Sequence, residues 1–209
     1  MKRSFLLLCA TALVFGANVM AQTAEPETGP NTNSTPGKDK IYPSIGTIER
    51  LDPTLDKLIG TNVFIEKLAR GFKWAEGPVW DKRNQTLYFS DVPQNIVFKW
   101  QPGVGTKEFL NPSGYTGTTL TNGQGSNGLT FDKHGHLILC QHGDRRIARL
   151  EPKGGFSTIA QYYKFRRFNS PNDLAIKSNG DIYFTDPTYG LPKGAQDPTV
   201  SWPSVGSIA

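Results

Sequence analysis

Cysteine and histidine are scarce in this chain, with two of the first and three of the second among 209 residues. The scarcity excludes a disulfide-stapled scaffold and leaves no Cys/His cluster of the kind zinc prefers. A strong excess of one charge is also missing: 23 lysines and arginines face 18 acids, a formal net charge of +5. That mild basicity gives no electrostatic footprint for nucleic acid. The one sustained apolar run, Phe5 to Val14, is about half the length a membrane span requires. What is present, 37% hydrophobic and 20% charged residues, is the composition of a folded globular chain.

The apolar run follows Lys2 and Arg3 and leads to Val19-Met20-Ala21, with small residues at the two positions a signal peptidase reads. This predicts a cleavable secretory signal over residues 1–21 and a periplasmic or secreted product. Cys9 lies deep in the run, after leucines, and is a poor match to a lipoprotein site. Removal of the signal leaves 21 basic side chains against 18 acidic ones, and Cys140 as the remaining cysteine. The exported chain then folds without an internal disulfide. Cys140 lies in the apolar stretch LILC and reads as a buried, inert thiol. Residues 22–40, QTAEPETGPNTNSTPGKDK, have almost nothing to bury and read as a disordered linker. The fold is expected over 41–209, with an early strand around Val63 to Gly71.

A unit recurs three times: EGPVWDKRNQTLYFSD from Glu76, NGLTFDKHGHLILCQ from Asn127 and NDLAIKSNGDIYFTD from Asn172. Each is a short apolar strand, a polar turn and a second strand rich in branched or aromatic residues. A third strand, IVFKWQPG and RRIARLEPKGG, follows the first two copies and closes on Pro and Gly. A period of roughly 45 to 50 residues without a helical pattern predicts an all-β fold built of propeller blades. They are expected near 71–110, 125–160 and 170–209. An all-β sandwich shares the short strands and frequent turns but not the repetition of the whole unit.

In a propeller the first strand of each blade lines the central channel, so Glu76, Asn127 and Asn172 should converge. One carboxylate and two amides offer oxygen donors for a hard divalent cation such as calcium or magnesium. The alternative is that each polar residue merely caps the start of its strand. The basic and aromatic run YYKFRRF (Tyr162 to Phe168) reads as a solvated loop. No nucleic-acid partner is expected, and no membrane partner once the signal is gone.

Several segments together resemble the senescence-marker-protein, gluconolactonase and luciferin-regenerating-enzyme family. They are AEGPVWD (from Ala75), LYFSDVPQNIVFKW (from Leu87), SGYTG with SNGLTFD, CQHGDRRIARLEP, and NSPNDLAIKSNGDIYFTDPTYGL (Asn169 to Leu191). The resemblance covers about Gly71 to Leu191, in order, and is greatest to the exported bacterial gluconolactonase-like branch. It implies a six-bladed propeller that hydrolyses sugar lactones or related esters with a central Ca2+, or another divalent ion such as Mg2+ or Mn2+. It implies Glu76 and Asn172 as metal ligands, with an Asn and an Asp from later blades completing the shell. Asp173 is the candidate general base. Asn127 lies on the same ring and could face substrate or water. His142, Arg145 and Arg146 could contact a polyhydroxylated or anionic substrate, or form a solvated loop.

Gly206-Ser207-Ile208-Ala209 aligns with Arg145-Arg146-Ile147-Ala148, which places about half a propeller in this sequence. On that reading the chain is expected to be inactive alone. The competing function is a secreted propeller that binds a ligand or protein without catalysis, since fold alone does not decide function.

Overall fold

A computed structural model describes residues 42–118, 124–201 and 205–208; the expected signal and linker lie outside them. The chain divides into two compact units, one up to Leu68 and one from Ala69. In the first, the Asp52 carboxylate accepts from the Thr54 amide at 2.7 Å and caps a 3-10 helix, Pro53–Lys57, that opens on proline. Proline suits that position because its missing N–H has no partner there in any case. Arg50 pairs with Asp56 and donates to the Gly60 carbonyl.

The segment from Val63 to Gly71, which the resemblance pairs with a last blade and which is expected to lack that partner in this chain, forms one bridge, Ser44 with Glu66. A strand persists only while its partner offers a ladder. Here Pro43 has no N–H to give, and Gly46, at φ +63°, turns the partner segment away.

From Ala69 the chain is all-β. The first sheet runs β1 (Ala75–Asp81), β2 (Thr86–Asp91), β3 (Ile96–Gln101) and β4 (Gly105–Leu110). The second repeats it as β5 (Ser126–Phe131), β6 (Leu137–Gln141), β7 (Arg146–Leu150) and β8 (Phe156–Ala160). A two-stranded hairpin, β9 (Tyr162–Tyr163) and β10 (Arg166–Arg167), leads to β11 (Leu174–Ile176), β12 (Ile182–Thr185) and β13 (Val205–Ile208). Each sheet is an antiparallel meander in sequence order. This is the propeller-blade pattern, and β13 falls where the repeat places a third strand. The fourth strands, β4 and β8, carry no motif; both are largely solvent-facing and show little apolar alternation.

Sheet packing explains the run LILC. Along β6, Leu137 and Leu139 turn toward Val97 and Leu129, whereas Ile138 and Cys140 turn toward Ile147, Phe168 and Phe184. β6 is therefore buried on both faces, and such a strand reads as continuous apolar sequence. Burial, helped by the charges of Asp173 and Asp186, pushes the Cys140 thiol well above its ordinary value. The thiol is wholly buried, as its surroundings in the sequence suggest.

Candidate functional site

The three strand heads meet through glycine. Gly77 follows Glu76 at φ +55°, and a Cβ there would lie 2.1 Å from the Asn127 carbonyl oxygen. Gly128 follows Asn127, and its Cβ would lie 2.7 Å from the Asn172 oxygen and 2.8 Å from Asp173 Cα. The Gly128 amide donates to that Asn172 oxygen at 2.6 Å. No side chain could occupy either position, so β1, β5 and the start of β11 come into backbone contact. Glu76, Asn127 and Asn172 are thus brought to adjacent positions, as the repeat predicts. Where the first two copies place glycine, the third places Asp173.

Both glycines lie in irregular stretches of their strands. The β1–β2 register shifts between Glu76 and Val79, and the β5–β6 register between Ser126 and Leu129. Bulges of this kind re-aim side chains and are common beside functional sites. The Trp74 indole N–H donates to Glu76 Oε1 at 2.6 Å and orients the carboxylate. Asn127 is buried, Glu76 and Asn172 are partly buried, and Asp173 is exposed with Oδ1 accepting from the Leu174 amide at 2.9 Å.

Next to these heads lies a polar layer built from the ends of the second strands and the serines beside them. Ser90 and Ser126 share a hydroxyl hydrogen bond of 2.8 Å, and Ser90 also donates to the Asn127 carbonyl at 2.8 Å. Both serines are wholly buried. Asp91, ending β2, accepts from the amides of Lys73 and Trp74 at 2.9 and 3.2 Å. Asp186, just after β12, accepts from the Asn169 amide at 2.8 Å. Each carboxylate fastens the segment that leads into its own sheet. The signal was the shared ending of YFSD and YFTD. Burial pushes the Asp186 carboxyl up to about 6, against the opposing pull of the Asn169 and Ser170 amides and of Arg145. Among the described residues its buried Oδ1 has no hydrogen-bond partner.

His142 and Arg145 are not on a solvated loop. His142 is 3% exposed, and a Cβ on Gly190 would lie 2.7 Å from its ring. Arg145 Nε donates to the Phe168 carbonyl at 2.6 Å, while Nη1 and Nη2 donate to Thr199 Oγ1 and its carbonyl at 2.7 and 3.0 Å. Arg146 bonds Gln141, Thr158 and Asp144. The two guanidinium groups hold protein oxygens and brace the loops around the strand heads. Asn95 does the same on the first sheet, its Oδ1 accepting from the amides of Ser113, Gly114 and Tyr115.

Among the described residues no group of three or more His, Cys, Asp or Glu is placed to hold a metal. The donor set read from the repeat has one carboxylate and two amides, and this fits oxygen coordination of a hard cation rather than zinc.

Successive blades with polar strand heads in backbone contact define a β-propeller with a candidate site at those heads. Residues 74–206 match the family described as the SMP-30/Gluconolactonase/LRE-like region, and the chain belongs to that family. It is 41% identical over 153 residues to the gluconolactonase of Zymomonas mobilis, covering 71% of this chain and 43% of that protein. Among solved structures it is similar to a putative gluconolactonase, with a TM-score of 0.56, 34% identity and coverage of 68% and 47% of the two chains. It is also similar to a gluconolactonase from Xanthomonas campestris, with a TM-score of 0.62, 26% identity and coverage of 84% and 57%. The chain spans about half the length of these relatives.

Proposed function

We propose that this chain carries part of a site that hydrolyses a sugar lactone or related ester, in a protein exported to the periplasm or beyond the cell. One observation carries the reading: Glu76, Asn127 and Asn172 head three strands that glycine holds in backbone contact, in a chain of the gluconolactonase-like hydrolase family. Glu76 and Asn172 would hold a divalent cation, calcium or a similarly hard ion. When bound, such an ion polarises the lactone carbonyl and stabilises the negative charge that water attack develops there.

The chain's own residues supply the rest. Trp74 fixes the Glu76 carboxylate by its indole N–H. Asn127 offers an amide that can donate to and accept from sugar hydroxyls or water. Asp173, exposed beside Asn172, takes the proton of the attacking water as general base. His142 and Arg145 would contact a polyhydroxylated or anionic substrate, Arg145 being held in place by its bonds to Phe168 and Thr199.

The test is hydrolysis of glucono-δ-lactone by a full-length version of the protein, with the later blades restored, followed by pH-stat, with calcium and after chelation. Glu76→Gln is expected to lower turnover by about 10- to 100-fold and to abolish the thermal shift that calcium gives the parent protein. Asp173→Asn is expected to keep that shift and lose turnover. Full turnover and an unchanged calcium shift in Glu76→Gln would falsify the assignment.

A further inference from the structure

The hairpin β9–β10 takes no part in the site, and its chemistry is unusual. All six residues from Tyr162 to Arg167 are exposed. Phe165, at the tip, is 100% exposed, and Tyr162 and Tyr163 are each more than half exposed. Lys164 and Phe165 are the two central residues of the turn, with φ of 45° and 66°. Turns that need two positive φ values favour Asn-Gly, and a bulky aromatic is among the poorest choices. Turn chemistry therefore does not account for Phe165, and neither does packing.

Three cations, Lys164, Arg166 and Arg167, accompany the aromatics, and no acid occurs between Gln161 and Phe168. The base of the hairpin is fixed. The Phe168 amide donates to the Gln161 carbonyl, Arg167 donates to the Asp144 carbonyl, and Arg145 donates to Phe168. A braced stem thus presents an apolar tip ringed by positive charge.

Topology gives the direction. Each first strand starts at its polar head, and the second strand returns to the same end at Asp91, Gln141 and Thr185. The hairpin joins β8 to the segment leading into Asn172, so it lies at that same end of the sheets.

We propose that this hairpin is a docking element for an anionic lipid surface, with Phe165 entering the interface and Lys164 and Arg166 meeting the headgroups. Aromatic rings with an apolar body and polar edge favour the membrane interface, and basic residues beside them select negative headgroups. Single-stranded nucleic acid also takes aromatic and basic groups, but it is bound along a positively charged groove that tracks its backbone. Here the cations surround one projecting tip. Composition alone points to no membrane partner; the structure gathers Tyr162 to Arg167 onto an exposed hairpin and buries Phe168 in the core.

The test is flotation of the full chain with vesicles of phosphatidylcholine and phosphatidylglycerol in equal parts, with phosphatidylcholine vesicles and polyuridylate as comparison arms. Binding to the anionic vesicles is expected, weakening as salt rises. Phe165→Ser should weaken it about tenfold, Phe165→Trp should restore it, and Lys164→Glu with Arg166→Glu should remove the preference for anionic lipid. All these positions are exposed, so circular dichroism should be unchanged. Equal binding to both vesicle types, undiminished binding by Phe165→Ser, or tighter capture of polyuridylate than of vesicles would each overturn the proposal.

Discussion

At the scale of single residues, the polar groups behind the strand heads differ in how well they are satisfied. Asp91 has two backbone amides and the Gln94 side chain on its carboxylate. Asp186 has a buried oxygen without a partner among the described residues and a carboxyl raised to about 6. A raised carboxyl costs the folded state whenever it must ionise. Below the unfolded value near 3.8, both states hold the proton and there is no cost. As pH rises through 6 the folded state loses its proton, and the full cost, on the order of 2 to 3 kcal/mol, applies above it. Asp186→Asn keeps an acceptor for the Asn169 amide and removes the charge. It should be more stable than the parent by roughly 1 to 3 kcal/mol at pH 8, with the advantage vanishing toward pH 4. Urea unfolding of both proteins across that range checks the sign and the window.

Elements meet where glycine allows them to. Gly128 has backbone of the neighbouring segment within 2.7 to 2.8 Å of any added Cβ. Gly128→Ala should therefore cost about 2 to 4 kcal/mol, because backbone cannot swing aside as a long side chain can. Gly154, in the turn between β7 and β8, has nothing within 4 Å of its Cβ position and a φ of +86°. Gly154→Ala should cost only the left-handed conformation, about 1 kcal/mol. Urea midpoints of the two variants, compared with the parent, measure the difference. Equal costs would mean that close approach is not what fixes the strand heads.

Across the molecule, what joins successive sheets is a mixture of apolar clusters and long polar side chains. The apolar clusters on either side of β6 pack neighbouring sheets together, but, Phe168 apart, they contain none of the loops at the site end. Arg145 holds those loops, tying the turn after β6 to Phe168 and to Thr199. Arg145→Met keeps the length and apolar stem and loses all three hydrogen bonds. It should lower stability by about 2 kcal/mol and speed proteolysis between Pro187 and Ser201. If limited proteolysis there is unchanged, the guanidinium is not what holds the loop.

Much of this was legible in the sequence because the unit repeats. Turn chemistry marked the hairpins, as where the Asp132 carboxylate accepts from the His134 and His136 amides. The three copies by themselves put Glu76, Asn127 and Asn172 in register. The strands β4 and β8 were not legible, since half-exposed edges need little apolar patterning. The strand expected from Val63 to lack its partner forms only a single bridge, because a ladder depends on its partner as much as on its own residues. For His142 and Arg145 the solvated-loop alternative fails for a related reason. A turn rich in charge reads as solvated, and only the arrival of Gly190 and Thr199, more than 40 residues further on, buries it. Local spacing thus determined the blades and which side chains head their strands. Tertiary structure decided which polar groups are consumed as braces and which face outward, because burial and hydrogen bonding depend on what long-range packing brings alongside.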